Sequence, residues 1–227
     1  MKVFYVRLFR DGRYDILDRE LNDIQKKYEA GKISDETLEN YFSIFFSPYP
    51  EAEGKLDAWV KAYPGSYAAL QGRCSYFLET AGTARGDKFI KDTSAKELQG
   101  MALYLKRAAA DCTAAEPLVK KPVLAYKNLI QIAEMGGADA TPRQMLGLAN
   151  LADPKNVVVR AQYMHSLEPH WGGSLKQMQD FLAQAKLAGV SEHGITRLNG
   201  MVLTVLECDY CNGTDDFAKI GTFVTGF

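Results

Sequence analysis

Apolar residues in this chain recur at the spacing of a helix face, and short caps and turns cut the pattern into segments. Roughly ten such segments succeed one another, with no comparable alternation of the kind a strand needs. Helices this short are marginal alone, so each must bury its apolar stripe against neighbours. Short links between consecutive helices favour antiparallel hairpins, and hairpins that continue in sequence stack. The predicted fold is therefore all-α: stacked antiparallel helix hairpins forming a right-handed, tetratricopeptide-like superhelix of about ten helices. A non-repeating bundle is the competing arrangement.

The punctuation can be traced residue by residue. Leu17, Leu21, Ile24 and Tyr28 share a face that Gly31 ends, and Ser34 caps the next helix, with Leu38, Tyr41, Phe42 and Phe45 turned inward. Leu56, Trp59, Val60 and Tyr63 mark a third helix ending at Pro64-Gly65. Ser66 caps a fourth, in which Leu70, Cys74, Phe77 and Leu78 face in. Residues 80 to 93, with Gly82 and Gly86, read as a longer connection or a helix interrupted near Gly82. Ser94 with Glu97 and Thr141 with Gln144 make two capping boxes. Pro122 opens another helix, Asp153-Pro154 breaks the chain again, and Ser174 with Gln177 begins a helix running to Gly189. The last helix is expected from about Ser191 to Glu207. The whole of 1–227 reads as one helical-repeat domain, with 1–14 and 208–227 as weakly patterned ends. Gly221 to Phe227 lack the charged capping helix that stacked repeats need, which leaves a longer native chain open.

Composition narrows the function classes. Apolar residues make up 47% and charged residues 24%, which fits an ordinary packed core. The net charge of −1 offers no cationic excess for phosphates, so nucleic acid is not an expected partner. No signal-peptide core and no spanning segment is present, so no membrane partner is expected and the reading is cytoplasmic. In that compartment Cys74, Cys112, Cys208 and Cys211 are expected as thiols, two of them buried in helices.

Two stretches carry a resemblance. One is Leu56-Asp57-Ala58-Trp59-Val60 with Pro64-Gly65-Ser66-Tyr67-Ala68-Ala69 and Ala84-Arg85-Gly86. The other is Tyr163-Met164, Leu167, Pro169-His170-Trp171-Gly172-Gly173-Ser174 and Met178. Together, over roughly residues 15 to 190, they resemble an uncharacterised bacterial family of helical-repeat proteins, in the style of tetratricopeptide and Sel1-like repeats. The Trp-Gly-Gly-Ser element is its sharpest part. The resemblance implies the fold and supplies no chemistry, and His170 stands where it would lead one to expect arginine.

Candidate chemistry is thin. Trp171-Gly172-Gly173-Ser174 reads structurally as a corner between helices: glycines permit positive φ, Ser174 caps the next helix, and Trp171 packs back. Read functionally, His170 and Trp171 form the lip of a groove, and a ligand pocket would draw in His165 and Arg85. Cys208-x-x-Cys211 has the spacing of half a zinc site or a redox pair, but the two further ligands and the βαβ setting are missing. No nucleophile elbow or phosphate-cradling glycine motif occurs. No metal, cofactor or catalytic residue is therefore expected. Aromatics are in surplus on one helix, and helical spacing leaves Phe46 and Tyr49 away from the inward Tyr41, Phe42 and Phe45, as a candidate exposed patch. The expected function is non-catalytic recognition of a protein or peptide partner, by an adaptor, scaffold or toxin-neutralising protein with a concave helical groove. The alternative is an enzyme or small-ligand-binding protein with a pocket at the Trp-Gly-Gly-Ser corner.

Overall fold

A computed structural model describes residues 2–46, 51–86, 92–138 and 140–211, with side chains to Glu207. Among the described residues there are eleven α-helices and no strand. They are α1 (Lys2–Arg10), α2 (Tyr14–Glu29), α3 (Asp35–Phe42), α4 (Ala52–Ala62), α5 (Tyr67–Arg85), α6 (Ala95–Ala115), α7 (Val123–Glu134), α8 (Pro142–Ala152), α9 (Val158–Ser166), α10 (Leu175–Leu187) and α11 (Glu192–Cys211). The all-α expectation holds, and helices pack on one another in series. Contacts cluster into two units that divide between Val159 and Arg160.

The helix starts obey local chemistry. The hydroxyls of Ser34, Ser66, Ser94, Thr141 and Ser174 each accept from a backbone N–H one turn on, and both capping boxes form in full. The first ten residues, weakly patterned in sequence, are mostly helical. In α1, Tyr5, Leu8 and Phe9 are buried, with Tyr5 edge-on to Tyr41 and Phe9 edge-on to Phe45.

The first unit is built around α5. Its residues from Tyr67 to Leu78 are buried on nearly every side, and α2, α4, α6 and α7 all pack against it. Trp59 of α4 is fully buried, stacks on Tyr14 and donates through Nε1 to Asp18 at 3.1 Å. Two features differ from the sequence expectation. Residues 80–85 are helix rather than connection: α5 runs unbroken through Gly82 to Arg85, and the break falls at Gly86, whose φ of +72° ends the helix, while 87–91 lie outside the described residues. Packing on α6 outweighs the modest cost of a glycine inside a helix. Second, Cys74 and Cys112 are not thiols. They form a disulfide between α5 and α6, their Cα atoms 5.5 Å apart and both residues fully buried. The two helices run side by side at a separation that lets these half-cystines meet.

On the same flank, Arg73 forks onto Asp111 with bonds of 2.7 and 2.8 Å and reaches Asp57 at 3.0 Å. The Asp111 carboxylate beside it raises the Arg73 pKa further above its ordinary value. Arg107 lies over the Phe77 ring, 3.9 Å from its centroid, and pairs with Glu53. Far along the chain, Asp35 caps the approach to α9, its carboxylate accepting from the backbone N–H groups of Val157 and Val158. Burial raises the Asp35 pKa despite those bonds.

The second unit has its own apolar centre. Met164, Met178, Phe181, Leu182, Leu198 and Val202 are buried, and Tyr163 meets Phe181 edge to face at 4.9 Å.

Candidate functional site

Two grooves mark the first unit and one side-chain cluster marks the second. The first groove, about 750 Å³, runs along the polar face of α2, where Asp18, Asn22, Gln25 and Glu29 are spaced to share one side. Most of these groups are already committed. Asn22 donates to Asp18 and Ser66 and accepts from the Ala68 N–H. Glu29 accepts from the backbone of Lys120 and Lys121 and from Gln25, which also donates to the Lys121 carbonyl. The seam ties the loop before α7 to α2 and the start of α5. Buried Gln25 Oε1 and the buried Tyr67 hydroxyl have no hydrogen-bond partner among the described residues. Burial pushes the Tyr67 pKa far above the ordinary tyrosine range.

The second groove, about 620 Å³, has a different character. It lies along α6, between that helix and the α7–α8 turn. Leu105, Leu129 and Met145 are its buried floor, and Met101 and Met135 are half-buried in its walls. Lys106 and Glu116 supply one charge of each sign at the lining. Two glycines come after α7: Gly136 has a φ of +78°, and a Cβ on Gly137 would come within 2.7 Å of the Leu105 Cβ. The glycines therefore let the turn close down on α6 and shape the groove wall. Apolar floor, flexible thioether walls and sparse charge suit an apolar side-chain surface from another molecule.

In the second unit, the corner after α9 brings together three of the sequence candidates. His165 leaves the last turn of α9, and His170 and Trp171 sit in the adjoining 3₁₀ turn. The ring centroids of His165 and Trp171 are 5.6 Å apart, those of His170 and Trp171 5.2 Å, and those of the two histidines 5.9 Å. The structural reading of the corner is right in its parts: Gly172 has a φ of +89° and Ser174 caps α10. Trp171 remains 41% exposed, so it forms a wall beside the histidines as much as an anchor. Sequence reasoning missed Glu168. Its carboxylate lies 3.4 Å from His170 Nδ1, and the pattern His165-x-x-Glu168-x-His170 was the available signal.

Arg85 ends α5 in the first unit, where its guanidinium donates to the Gly86 carbonyl at 3.5 Å. Phe46 is half-buried, with the Lys127 ammonium 4.8 Å from its ring centroid and that same ammonium paired to Glu39. Tyr49 and the side chains of Cys208 and Cys211 lie outside the described residues. No helix among the described residues is long and apolar enough to cross a membrane.

Comparison with known proteins places the first unit. Residues 4–146 match the model of a family described as a domain of unknown function, DUF4034. Neither the curated proteins nor the solved structures contain a match to the chain.

Proposed function

We propose that this chain, which belongs to the DUF4034 family, is a non-catalytic protein-interaction module whose recognition surface is the methionine-walled groove along α6. The observation that carries the reading is the groove's chemistry: a buried apolar floor, two methionine walls and one lining charge of each sign. Such a surface recognises the apolar side of an amphipathic helix, because thioethers repack around differing side chains and the lining charges set register. From Met101 to Glu116 the groove tracks α6 for about 22 Å at 1.5 Å per residue, room for roughly fifteen residues of partner helix. The groove lies within the family-matched region.

Stacked hairpins, if the helices repeat in tetratricopeptide style, work by presenting surfaces, which fits this reading. The competing small-ligand reading draws on the exposed Trp171 corner, which is open rather than enclosed. The compartment we propose departs from the cytoplasmic expectation. A buried disulfide persists where thiols are kept oxidised, which favours an oxidising compartment over the cytosol.

The test is site-specific photo-crosslinking in the native host, with the probe replacing Lys106 at the groove or, as a control outside its lining, Leu187. Leu187 is 89% exposed on the second unit. A discrete crosslinked protein from position 106 is expected. It should be absent from position 187 and lost when Met101→Glu and Ala109→Glu are added. Adducts that survive those substitutions, or that form equally at 187, would overturn the assignment.

A further inference from the structure

We propose that His165, Glu168 and His170 form a binding site for one divalent first-row transition-metal ion, separate from the groove along α6. Their ligand atoms, two imidazole nitrogens and a carboxylate oxygen, all lie within 4.8 Å of one another. The 3.4 Å between His170 Nδ1 and Glu168 Oε2 is long for a hydrogen bond. It equals the edge of a tetrahedron whose metal–ligand bonds are about 2.1 Å, roughly 3.4 Å. Closing the set around an ion therefore asks mainly for a swing of the half-buried His165 ring or of His170, whose side chain is 62% exposed. Two imidazoles and one carboxylate suit zinc, cobalt, nickel or iron(II), and they leave coordination positions for water or a small anionic ligand.

The backbone between the three ligands is held in place. The Glu168 carbonyl accepts from the N–H groups of Trp171 and Gly173, the Glu168 N–H donates to the His165 carbonyl, and the Gly172 N–H donates to Pro169. Gly173 is pressed so closely on the turn that a Cβ there would fall 2.0 Å from the Leu167 carbonyl oxygen. The Glu168 side chain is only 15% exposed, so its carboxylate has little freedom, and the Trp171 ring walls one side of both imidazoles. A corner of this rigidity positions ligands before the ion arrives, which lowers the ordering cost of binding.

The experiment is titration of the full chain with Co²⁺, monitored by absorption, and with Zn²⁺, monitored by calorimetry. One ion per chain is expected. Glu168→Gln is nearly isosteric and His170→Ala alters an exposed side chain, so both should keep the helical circular dichroism of the wild type. Each should weaken binding at least tenfold. The double variant Cys208→Ser, Cys211→Ser should bind as the wild type does. The proposal is overturned by absence of one-to-one binding, by binding that survives both Glu168→Gln and His170→Ala, or by binding abolished in the cysteine variant.

Discussion

Removing the Cys74–Cys112 disulfide should cost this protein about 4 kcal/mol, mostly by releasing the unfolded chain. The two residues are 38 apart in sequence. Opening a loop of that length returns about 13 cal/mol/K to the unfolded ensemble, or about 4 kcal/mol at 25 °C. For a chain of this size each kcal/mol moves the midpoint of thermal unfolding by about 2–4 °C, so the shift should be about 8–16 °C. Both cysteines are fully buried, so a reductant added to the native protein acts only as fast as the structure opens. The cleaner perturbation is the double variant Cys74→Ala, Cys112→Ala, compared with wild type by urea unfolding. Two readings separate the mechanism from simple loss of packing. The midpoint should fall, and the urea dependence should steepen, because an uncrosslinked chain exposes more surface on unfolding. A cavity alone would lower the midpoint at constant slope. Coincident curves for variant and wild type, or two alkylatable thiols at these positions in protein taken from its native source, would refute the reasoning.

Arg73→Ala should destabilise the first unit by about 3 kcal/mol or more, since it strands the buried Asp111 carboxylate; adding Asp111→Asn should recover part of that loss in a urea-based double-mutant cycle. Asp35 supplies a pH signature: with its pKa raised by burial, the folded protein binds the extra proton, so stability falls as pH rises from the ordinary 3.8 to the raised value and is flat above it. Asp35→Asn should lack that fall, so wild type should gain on the variant as pH drops from 7 toward 4; equal slopes in urea titrations across that range would contradict the burial argument.

Local features could be read from the sequence, and distant ones could not. The caps at Ser34, Ser66, Ser94, Thr141 and Ser174 were legible because each bond closes within one turn. The inward faces of α2 and α5 were legible for the same reason, as helical period maps directly onto burial at Leu17, Leu21, Ile24, Cys74 and Phe77. Gly82 misled because a glycine weakens a helix by an amount that tertiary packing easily exceeds; a Cβ there would touch nothing, so neither turn nor close approach requires it. The disulfide was hidden because pairing depends on how α5 lies against α6, and a compartment argument from composition pointed the other way. At the corner after α9, the histidines and Trp171 were singled out and Glu168 was passed over, although only the carboxylate turns that cluster into a ligand set.

Helix α6 unites these observations, because it is anchored to α5 and also lines the groove. Toward α5 it is tied by a covalent bond at Cys112, by the Asp111 pair with Arg73 and by Arg107 lying on Phe77. Toward the α7–α8 turn it shows Met101, Leu105 and Ala109, and the Gly137 backbone comes up against Leu105. A helix anchored that firmly to α5 holds the groove residues it carries in place. On the proposed reading, rigidity of this kind lowers the ordering cost of association, while the methionine walls keep enough freedom to fit a partner. Loosening the anchor to α5 should therefore weaken the proposed recognition at the groove even where no groove residue is changed. If the Cys74→Ala, Cys112→Ala protein, folded and held well below its own midpoint, gave the same crosslinking yield from position 106 as wild type, the link between anchor and groove would fail.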